Sequence, residues 1–255
     1  MQSFRLKLFA DTADLASMLR FYRHPLVSGF TTNPSLMRKA GVGNYEAFGR
    51  MVLEEIPDKP VSFEVLAEES SGIEQQARAI ASWGTNTFIK ITVTDRRGRS
   101  LLPTIHRLSA SGIALNVTAL FTLEQIASVL PMLDTAHPAI LSVFAGRIAD
   151  TGRDPIPTLR AARSMLYHYP NVQLLWASTR EVFNLFQAEQ AGCHIITMLP
   201  DLIDKLANLG KDLNAFTLET IESFYRDAEA CAGAFDSNPQ PLRQRPIRAN
   251  DVPWL

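Results

Sequence analysis

Short runs of β-branched and apolar residues recur along the chain, and the longer segments between them carry apolar residues at helical spacing. Runs of about four to eight such residues are typical of buried strands, whereas helical spacing is typical of amphipathic helices. The strand pattern fits eight runs, at residues 6–11, 27–32, 60–66, 87–93, 113–120, 139–145, 172–178 and 193–199. The chain therefore alternates predicted strands with predicted helices.

The spacing of these runs favours a single closed barrel. Each predicted strand is followed by the next after about the length of one strand-loop-helix unit, and eight such units fit a (β/α)8 TIM barrel. An open, doubly wound sheet is the alternative, but the chain lacks the glycine-rich nucleotide-binding sequence of that fold. We predict one α/β domain, a TIM barrel with an extra C-terminal helix at residues 1–235, followed by a proline-rich polar tail at 236–255.

Several helix boundaries carry sequence signals. Thr122 with Gln125 has the pattern of a capping box, as does Ser178 with Glu181, and Gly192 is a typical helix stop. Residues 217–235 predict a helix after the eighth strand and its helix. Its apolar stripe contains Leu218, Ile221, Phe224, Tyr225, Ala228 and Phe235.

Charge and composition narrow the class of partner. A formal net charge of −1 gives no basic field for nucleic acid or an anionic membrane. The first residues, interrupted by Arg5 and Lys7, lack a signal-peptide core, and no apolar run is long enough for a membrane span. Cys193, Cys231 and the five histidines show no metal-ligand spacing. We expect a cytoplasmic protein that binds small molecules, and the spacing gives little support for a zinc site.

The fourth predicted strand contains a lysine within an otherwise buried run, TFIKITVT at 87–94. Side chains alternate along a strand, so Lys90 lies on the face opposite Ile89 and Ile91. The apolar face should meet the helices, which points Lys90 into the barrel. Taking a lysine out of water favours its neutral amine, a nucleophile suited to Schiff-base formation with a carbonyl. The alternative is a structural ion pair with Glu64.

Polar side chains on other strands are predicted to reach the same end of the barrel. Catalytic groups of TIM barrels gather at the C-terminal ends of the strands. Strand alternation and strand ends place there, besides Lys90, the side chains of Asp11, Asn33, Glu64, Asn116, Thr118, Ser142, Phe144, Ser178 and Arg180. Asn33 precedes Pro34, so shaping a turn is an alternative role for it.

Seven segments together resemble the transaldolase family in order, spacing and strand placement. They are FADTADL (9–15), GFTTNPSLM (29–37), SFEV (62–65), FIKIT (88–92), NVTALF (116–121), SVFAGRIAD (142–150) and WASTR (176–180). The family has a barrel of the class I aldolase type. The resemblance implies that Lys90 forms the Schiff base and that the reaction needs neither metal nor cofactor.

The resemblance also implies roles for the surrounding residues. Asp11 would be the general acid/base at the ketose C4 hydroxyl, and Glu64 with Thr118 would hold a proton-transferring water. The hydroxyls of a dihydroxyacetone unit would be bound by Asn33, Asn116 and Ser142. The phosphate would be bound by Arg147, Ser178 and Arg180.

The resemblance implies transfer of dihydroxyacetone from a ketose phosphate, such as sedoheptulose 7-phosphate or fructose 6-phosphate, to an aldose phosphate. This reaction belongs to the pentose phosphate pathway of carbohydrate metabolism. Alternatives are a fructose-6-phosphate-aldolase-like lyase that releases dihydroxyacetone, and a catalytically silent sugar-phosphate-binding barrel. Glu64, Ser142 and Phe144 match the transferase branch, since the aldolase branch has Gln, Ala and Tyr there.

Two further features of the sequence concern variation within the family. Thr92 stands where family members commonly have proline, two positions after the lysine. The helix predicted at 217–235 resembles the C-terminal helix through which compact members assemble into rings. We expect a homo-oligomer, with a decamer as one candidate size.

Overall fold

Eight strands pair in sequence order around a closed barrel in the computed structural model, which describes residues 4–231. Neighbouring strands are parallel, and β1 closes the barrel by pairing with β8. The strands are β1 Lys7–Asp11, β2 Val27–Thr31, β3 Val61–Glu64, β4 Thr87–Thr92, β5 Leu115–Leu120, β6 Ala139–Val143, β7 Val172–Trp176 and β8 Ile195–Met198. The predicted TIM barrel is confirmed, and each predicted run contains its strand.

Helices follow the strands around the outside of the barrel. They are α1 Leu15–Tyr22, α2 Pro34–Lys39, α3 Tyr45–Glu55, α4 Ser70–Ala81, α5 Leu102–Ala110, α6 Leu123–Val129, α7 Ala145–Ala149, α8 Ile156–Met165, α9 Asn184–Gln190 and α10 Pro200–Asp204. Short 3-10 turns extend three of them, at Leu130–Met132, Leu166–His168 and Lys205–Asn208. None of the helices described between residues 4 and 231 is both long and apolar enough to cross a membrane.

The helix boundaries confirm two sequence signals and correct a third. Thr122 and Gln125 form the predicted capping box of α6, and Gly192 follows α9 with a φ of +79°. The capping box predicted for Ser178 is wrong, because α9 begins only at Asn184. The Asn184 amide oxygen instead accepts hydrogen bonds from the backbone N–H groups of Arg180 and Glu181.

A last helix, α11 Leu213–Cys231, follows the barrel. The barrel lies within a compact unit, Met1–Ala207, and α11 belongs to a second unit that starts at Asn208. The helix predicted at 217–235 is thus present in the described residues. Phe235 and the predicted tail at 236–255 lie outside them, so the division at 236 stays a prediction.

Apolar side chains form two separate clusters. The larger one lies between strands and helices and includes Ile89 and Ile91, as the alternation of β4 predicts. The smaller one, inside the barrel, consists of Phe9, Ile140, Leu175, Ala177 and Ile195, with Phe88 and Phe144 packed against it. Phe9, Ile140 and Ile195 each precede by two positions a polar residue on the same strand face, namely Asp11, Ser142 and Thr197. The inner cluster therefore fills the barrel up to a polar layer at the C-terminal ends of the strands.

Candidate active site

A cavity of about 380 Å³ opens at the C-terminal ends of the strands. Nine of the residues that the sequence assigned to a site line it: Asp11, Asn33, Glu64, Lys90, Thr118, Ser142, Phe144, Arg147 and Ser178. The other lining residues are Thr31, Pro34, Ser35, Ala119, Leu175, Ala177 and Thr197. Asn116 and Arg180 are not among them.

Lys90 reaches the cavity from β4 and is only 7% exposed. Its Nζ lies 3.1 Å from Oε2 of Glu64, the residue beside it in register on β3. The same amine donates a hydrogen bond of 2.8 Å to the Thr32 carbonyl oxygen. The ion pair with Glu64 therefore exists, and it lies in the wall of the cavity, where the lysine can also meet a ligand.

Asp11 faces Lys90 from the end of β1. Its Oδ1 accepts a hydrogen bond of 2.7 Å from the Thr31 hydroxyl, while the Asn33 amide approaches Oδ2 at 3.5 Å. Burial raises the pKa of Asp11, although Lys90 and these two hydrogen bonds act in the opposite direction. A carboxyl group with a raised pKa is suited to accepting and returning a proton. Asn33 also caps α2, because its Oδ1 accepts a hydrogen bond from the Leu36 N–H, so it has a local structural role beside its place in the cavity wall.

Asn116 lies fully buried on β5, behind the cavity wall. Its amide nitrogen donates to the Ser62 hydroxyl at 3.0 Å, and its amide oxygen accepts a hydrogen bond of 2.6 Å from Ser142. Ser142 does line the cavity. Asn116 therefore orients Ser142 in this structure and presents no atom of its own to the cavity.

Thr118 carries an unpartnered polar atom. Its hydroxyl is buried, and no donor or acceptor of the described residues lies within hydrogen-bond range. The next residue, Ala119, has a φ of +58°, at the point where the β5–β6 register shifts. Buried hydroxyls are seldom left without a partner, so this one is available to a water or ligand in the cavity.

The two arginines assigned to phosphate binding differ in position. Arg147, on α7, lines the cavity, and its guanidinium carbon lies 5.1 Å from the centre of the Phe144 ring. Arg180 is instead held by Asp150, with its Nε 3.0 Å from Oδ1 and its Nη2 bonded to Oδ2. This arginine lowers the pKa of Asp150. The predicted set is therefore only partly assembled, since Arg147 and Ser178 reach the cavity and Arg180 does not.

Thr92 makes a hydrogen bond within the loop that follows β4. Thr92 is the last residue of β4, and its hydroxyl donates to the Thr94 carbonyl at 2.6 Å. Thr94 in turn pairs with Ser100 in an isolated antiparallel bridge. The threonine thus stabilises a local turn after the lysine strand, a contact that proline could not make.

Comparison with known proteins identifies the family. Residues 8–249 match the family described as Transaldolase/Fructose-6-phosphate aldolase. The chain belongs to this family. It is 33% identical over 228 residues to "Probable transaldolase 2" of Listeria monocytogenes, covering 88% of this chain and 97% of that protein. It is 32% identical over 194 residues to "Probable transaldolase" of Dehalococcoides mccartyi, covering 76% and 86%. A transaldolase-family enzyme of the aldolase or transferase kind is therefore established.

A solved structure supports the fold of this transaldolase-family chain. KGPDC from Streptococcus mutans, crystallised in complex with D-R5P, matches with a TM-score of 0.52 and 11% sequence identity. The match covers 76% of this chain and 88% of that one. At this identity the likeness concerns the barrel alone.

The transaldolase-family site includes residues that the sequence patterns did not single out. Thr31 and Thr197 line the cavity and connect to Asp11, and Asp150 holds Arg180. Thr197 could have been found from the alternation of β8, because it shares a face with Ile195. The sequence gives no indication of the ion pair between Asp150 and Arg180, because the two residues belong to different strand-helix units. Within the described residues, no group of three or more His, Cys, Asp and Glu side chains is arranged to hold a metal ion.

Proposed function

We propose that this enzyme transfers a dihydroxyacetone unit from a ketose phosphate to an aldose phosphate through a Schiff base on Lys90. The observation that carries the proposal is the buried amine in the cavity wall, with Glu64 3.1 Å away and Asp11 facing it. An amine attacking a carbonyl needs a group that removes its proton and a group that handles the substrate hydroxyls. Two carboxylates that could serve these purposes, Glu64 and Asp11, line this cavity.

Glu64 and Thr118 serve the first stage of the reaction. Glu64 takes a proton from the Lys90 ammonium, and the neutral amine adds to the ketose carbonyl to give a carbinolamine. The carbinolamine loses its oxygen as water, which requires that a proton be returned to that oxygen. The unpartnered Thr118 hydroxyl is placed to hold the water that carries this proton.

Asp11 serves the cleavage step. Its carboxylate takes the proton of the C4 hydroxyl, the C3–C4 bond breaks, and the bonding electrons pass into the iminium to form an enamine on Lys90. An aldose phosphate leaves, and a second one enters. The enamine then attacks the aldehyde of the second aldose phosphate, and the protonated Asp11 gives its proton to the new alkoxide. Water hydrolyses the resulting iminium, which releases the product ketose phosphate and frees the Lys90 amine. A raised pKa of Asp11 suits a group that must hold and return this proton.

Arg147 and Ser178 serve phosphate binding. Arg147 brings a planar guanidinium, suited to phosphate oxygens, to the cavity rim. Arg180 does not line the cavity, because its Nε and Nη2 donate hydrogen bonds to Asp150. Asn33 lies beside Asp11, and Ser142 lines the cavity. These two side chains would bind the hydroxyls of the dihydroxyacetone unit.

Release of dihydroxyacetone, as in a fructose-6-phosphate aldolase, is the second candidate function. The cavity residue Phe144 favours transfer, since its ring lies near Arg147 and a tilted Phe121 ring and offers no hydroxyl for protonating the enamine. We therefore expect fructose 6-phosphate alone to yield little free dihydroxyacetone, and an aldose-phosphate acceptor to raise turnover strongly. Rapid release without an acceptor, measured by product mass analysis, would favour the aldolase.

Lys90→Met tests the covalent step. Methionine has a similar volume without the amine, so the variant should fold but lose both turnover and borohydride trapping with fructose 6-phosphate. Lys39→Met, at an exposed position of α2, is the matched control and should be trapped like the unmodified protein. Intact-protein mass spectrometry reads out the adduct. Trapping that survives in Lys90→Met would move the nucleophile elsewhere, and absence of any adduct on the unmodified enzyme would favour the silent binding barrel.

A further inference from the structure

Two buried threonine hydroxyls form a chain that ends on Asp11. The Thr31 hydroxyl donates to Asp11 Oδ1 at 2.7 Å, and the Thr31 and Thr197 hydroxyl oxygens lie 2.6 Å apart. Thr31 is 2% exposed and Thr197 is 6% exposed. These two residues sit on β2 and β8, the strands that pair with β1 on either side. The two hydrogen-bonded hydroxyls thus connect β2 with β8, the strands on either side of the Asp11 strand.

The protons available on the two hydroxyls determine which threonine donates each hydrogen bond and which accepts it. A threonine hydroxyl has one proton to donate and two lone pairs to accept. While Asp11 is a carboxylate it can only accept, so the Thr31 proton goes to Asp11 Oδ1. The short contact between the two threonines then requires that Thr197 donate to Thr31. Hydrogen bonds linked in this way polarise one another and strengthen the last one.

The same count distinguishes the two oxygens of Asp11. Oδ1 already accepts the short bond from Thr31, whereas Oδ2 has only the Asn33 amide at 3.5 Å. An oxygen with a free lone pair takes up a proton more readily than one that is already engaged. Oδ2 is therefore the oxygen that remains open for proton transfer.

We propose that Thr197 and Thr31 are positioning residues that fix Asp11 through Oδ1 and so reserve Oδ2 for the proton of the substrate hydroxyl. The inference deepens the proposed function and rests on it, because it assigns a geometry to the acid/base step. Neither threonine needs to touch the reacting atoms. Their effect is transmitted through the orientation and protonation of Asp11.

The charged groups around Asp11 are few. Lys90 on β4 and Glu64 on β3 face it from across the cavity, the lysine favouring the carboxylate and the glutamate opposing it. The hydrogen-bonding side chains beside it are neutral: Thr31 on β2, Thr197 on β8, and Asn33 in the loop after β2. On the outer side of β1, α10 carries Asp201 and Asp204, and the latter is paired with Arg20 at the surface. Hydroxyl removal therefore changes the hydrogen bonds of Asp11 without removing a charge.

Valine and serine variants of the two threonines test the inference. Valine keeps the threonine shape without the hydroxyl, whereas serine keeps the hydroxyl. Thr87→Val is the matched control, because Thr87 is a buried barrel threonine whose hydroxyl has no partner among the described residues. The full-length protein is labelled with aspartate carrying ¹³C in the side-chain carboxyl, and the Asp11 signal is assigned by its loss in Asp11→Asn.

The carboxyl titration should separate the variants. Loss of a hydrogen bond to the charged form raises a carboxyl pKa, so Thr31→Val should move the Asp11 titration upward by about one pH unit. Thr197→Val should move it less and in the same direction. Thr31→Ser, Thr197→Ser and Thr87→Val should titrate like the unmodified protein.

Kinetics should follow the titration. The acidic limb of the kcat/KM profile should shift upward in the valine variants, and kcat/KM at neutral pH should fall about ten- to hundredfold in Thr31→Val with KM nearly unchanged. The inference is overturned if Thr31→Val titrates like the unmodified protein, or if the serine variants shift as far as the valine variants. An unmodified protein without transferase or aldolase activity would overturn the proposed function instead, and the carboxyl titration would still decide the hydrogen-bonding chain.

Discussion

At the residue scale, the burial of Asp11, the proposed acid/base, lowers the stability of the folded protein at neutral pH. Burial raises its pKa above the ordinary 3.8, so the folded protein binds this proton more tightly than the unfolded chain does. Free energy of unfolding then falls as the pH rises from the unfolded to the folded pKa, and the loss persists at neutral pH. The proposed function requires this carboxylate, and the fold would be more stable without its charge.

Asp11→Asn should therefore raise the midpoint of thermal unfolding at neutral pH while abolishing carbon–carbon cleavage. The gain should shrink as the pH is lowered toward 3.8, where the unmodified Asp11 is also neutral. Calorimetry across this pH range measures the difference. Asp14→Ala is a control of opposite sign, because Asp14 caps α1 by accepting a hydrogen bond from Ser17, and its loss should cost about 1 kcal/mol. A less stable Asp11→Asn protein at neutral pH would contradict the prediction.

Arg147 and Arg180 are expected to differ in their contribution to phosphate binding. Arg147→Ala should raise KM for phosphorylated sugars about ten- to hundredfold more than for their dephosphorylated analogues, because a charge-assisted hydrogen bond is lost. Arg180→Ala should have a smaller effect, since Asp150 engages its guanidinium.

Steady-state kinetics with paired substrates gives this comparison. Arg50→Ala, which removes an exposed α3 arginine paired with Glu46, is the control. Equal losses for phosphorylated and dephosphorylated sugars in Arg147→Ala would remove its role in phosphate binding.

At the scale of elements, the strands could be predicted and the loops could not. Each strand is a run of apolar residues whose pattern is local, so the sequence predicts all eight. Each predicted run extends one or two residues beyond its strand at one or both ends. The start of α9 was predicted too early because Ser178 and Glu181 match a capping box by spacing alone. The chain instead turns at Ser178, with a φ of +66°, and reaches α9 only at Asn184.

The site follows the same division. Residues placed by strand alternation, such as Glu64, Lys90 and Ser142, line the cavity as predicted. Arg180 does not, because its position depends on an ion pair with a residue from another strand-helix unit. The sequence indicates no role for Thr31 for a similar reason. Its hydroxyl contacts Asp11 and Thr197 only because β1, β2 and β8 lie side by side.

Gly146, in α7, lies against the loop that follows β7. A Cβ atom at this position of α7 would lie 1.6 Å from the carbonyl oxygen of Ser178. Gly146→Ala should push the end of β6 away from the loop after β7 and lower the free energy of unfolding by about 1–3 kcal/mol. Urea unfolding gives the value. Gly43→Ala, where no atom lies within 4 Å of the added Cβ, should change stability little. A fully stable Gly146→Ala protein would refute this close contact.

At the scale of the whole molecule, α11 carries an unusual number of exposed apolar side chains. Leu213 is 76% exposed, Leu218 69% and Tyr225 69%. Apolar surface of this extent commonly marks a contact with another chain. We expect the full-length protein to be a homo-oligomer, as its sequence predicts.

Phe224→Glu should shift the protein to a smaller species by placing a charge among these side chains. Light scattering coupled to size exclusion gives the mass. Glu222→Lys, which alters charge on the same helix without changing an apolar side chain, should leave the mass of the assembly unchanged. A monomeric unmodified protein at micromolar concentration would rule out the oligomer.

The pairing of β1 with β8 has a consequence during synthesis. Lys7 lies opposite Ile195 in the closed barrel, so the barrel strand that is synthesised first pairs with the one that is synthesised last. Until β8 arrives, β1 and β7 each have an open edge with unpaired backbone groups, and such edges pair readily with other chains. Contacts between such distant residues also slow folding. The nascent chain is therefore exposed to aggregation from the synthesis of β1 to the synthesis of β8, and that exposure ends only when the eighth strand closes the ring.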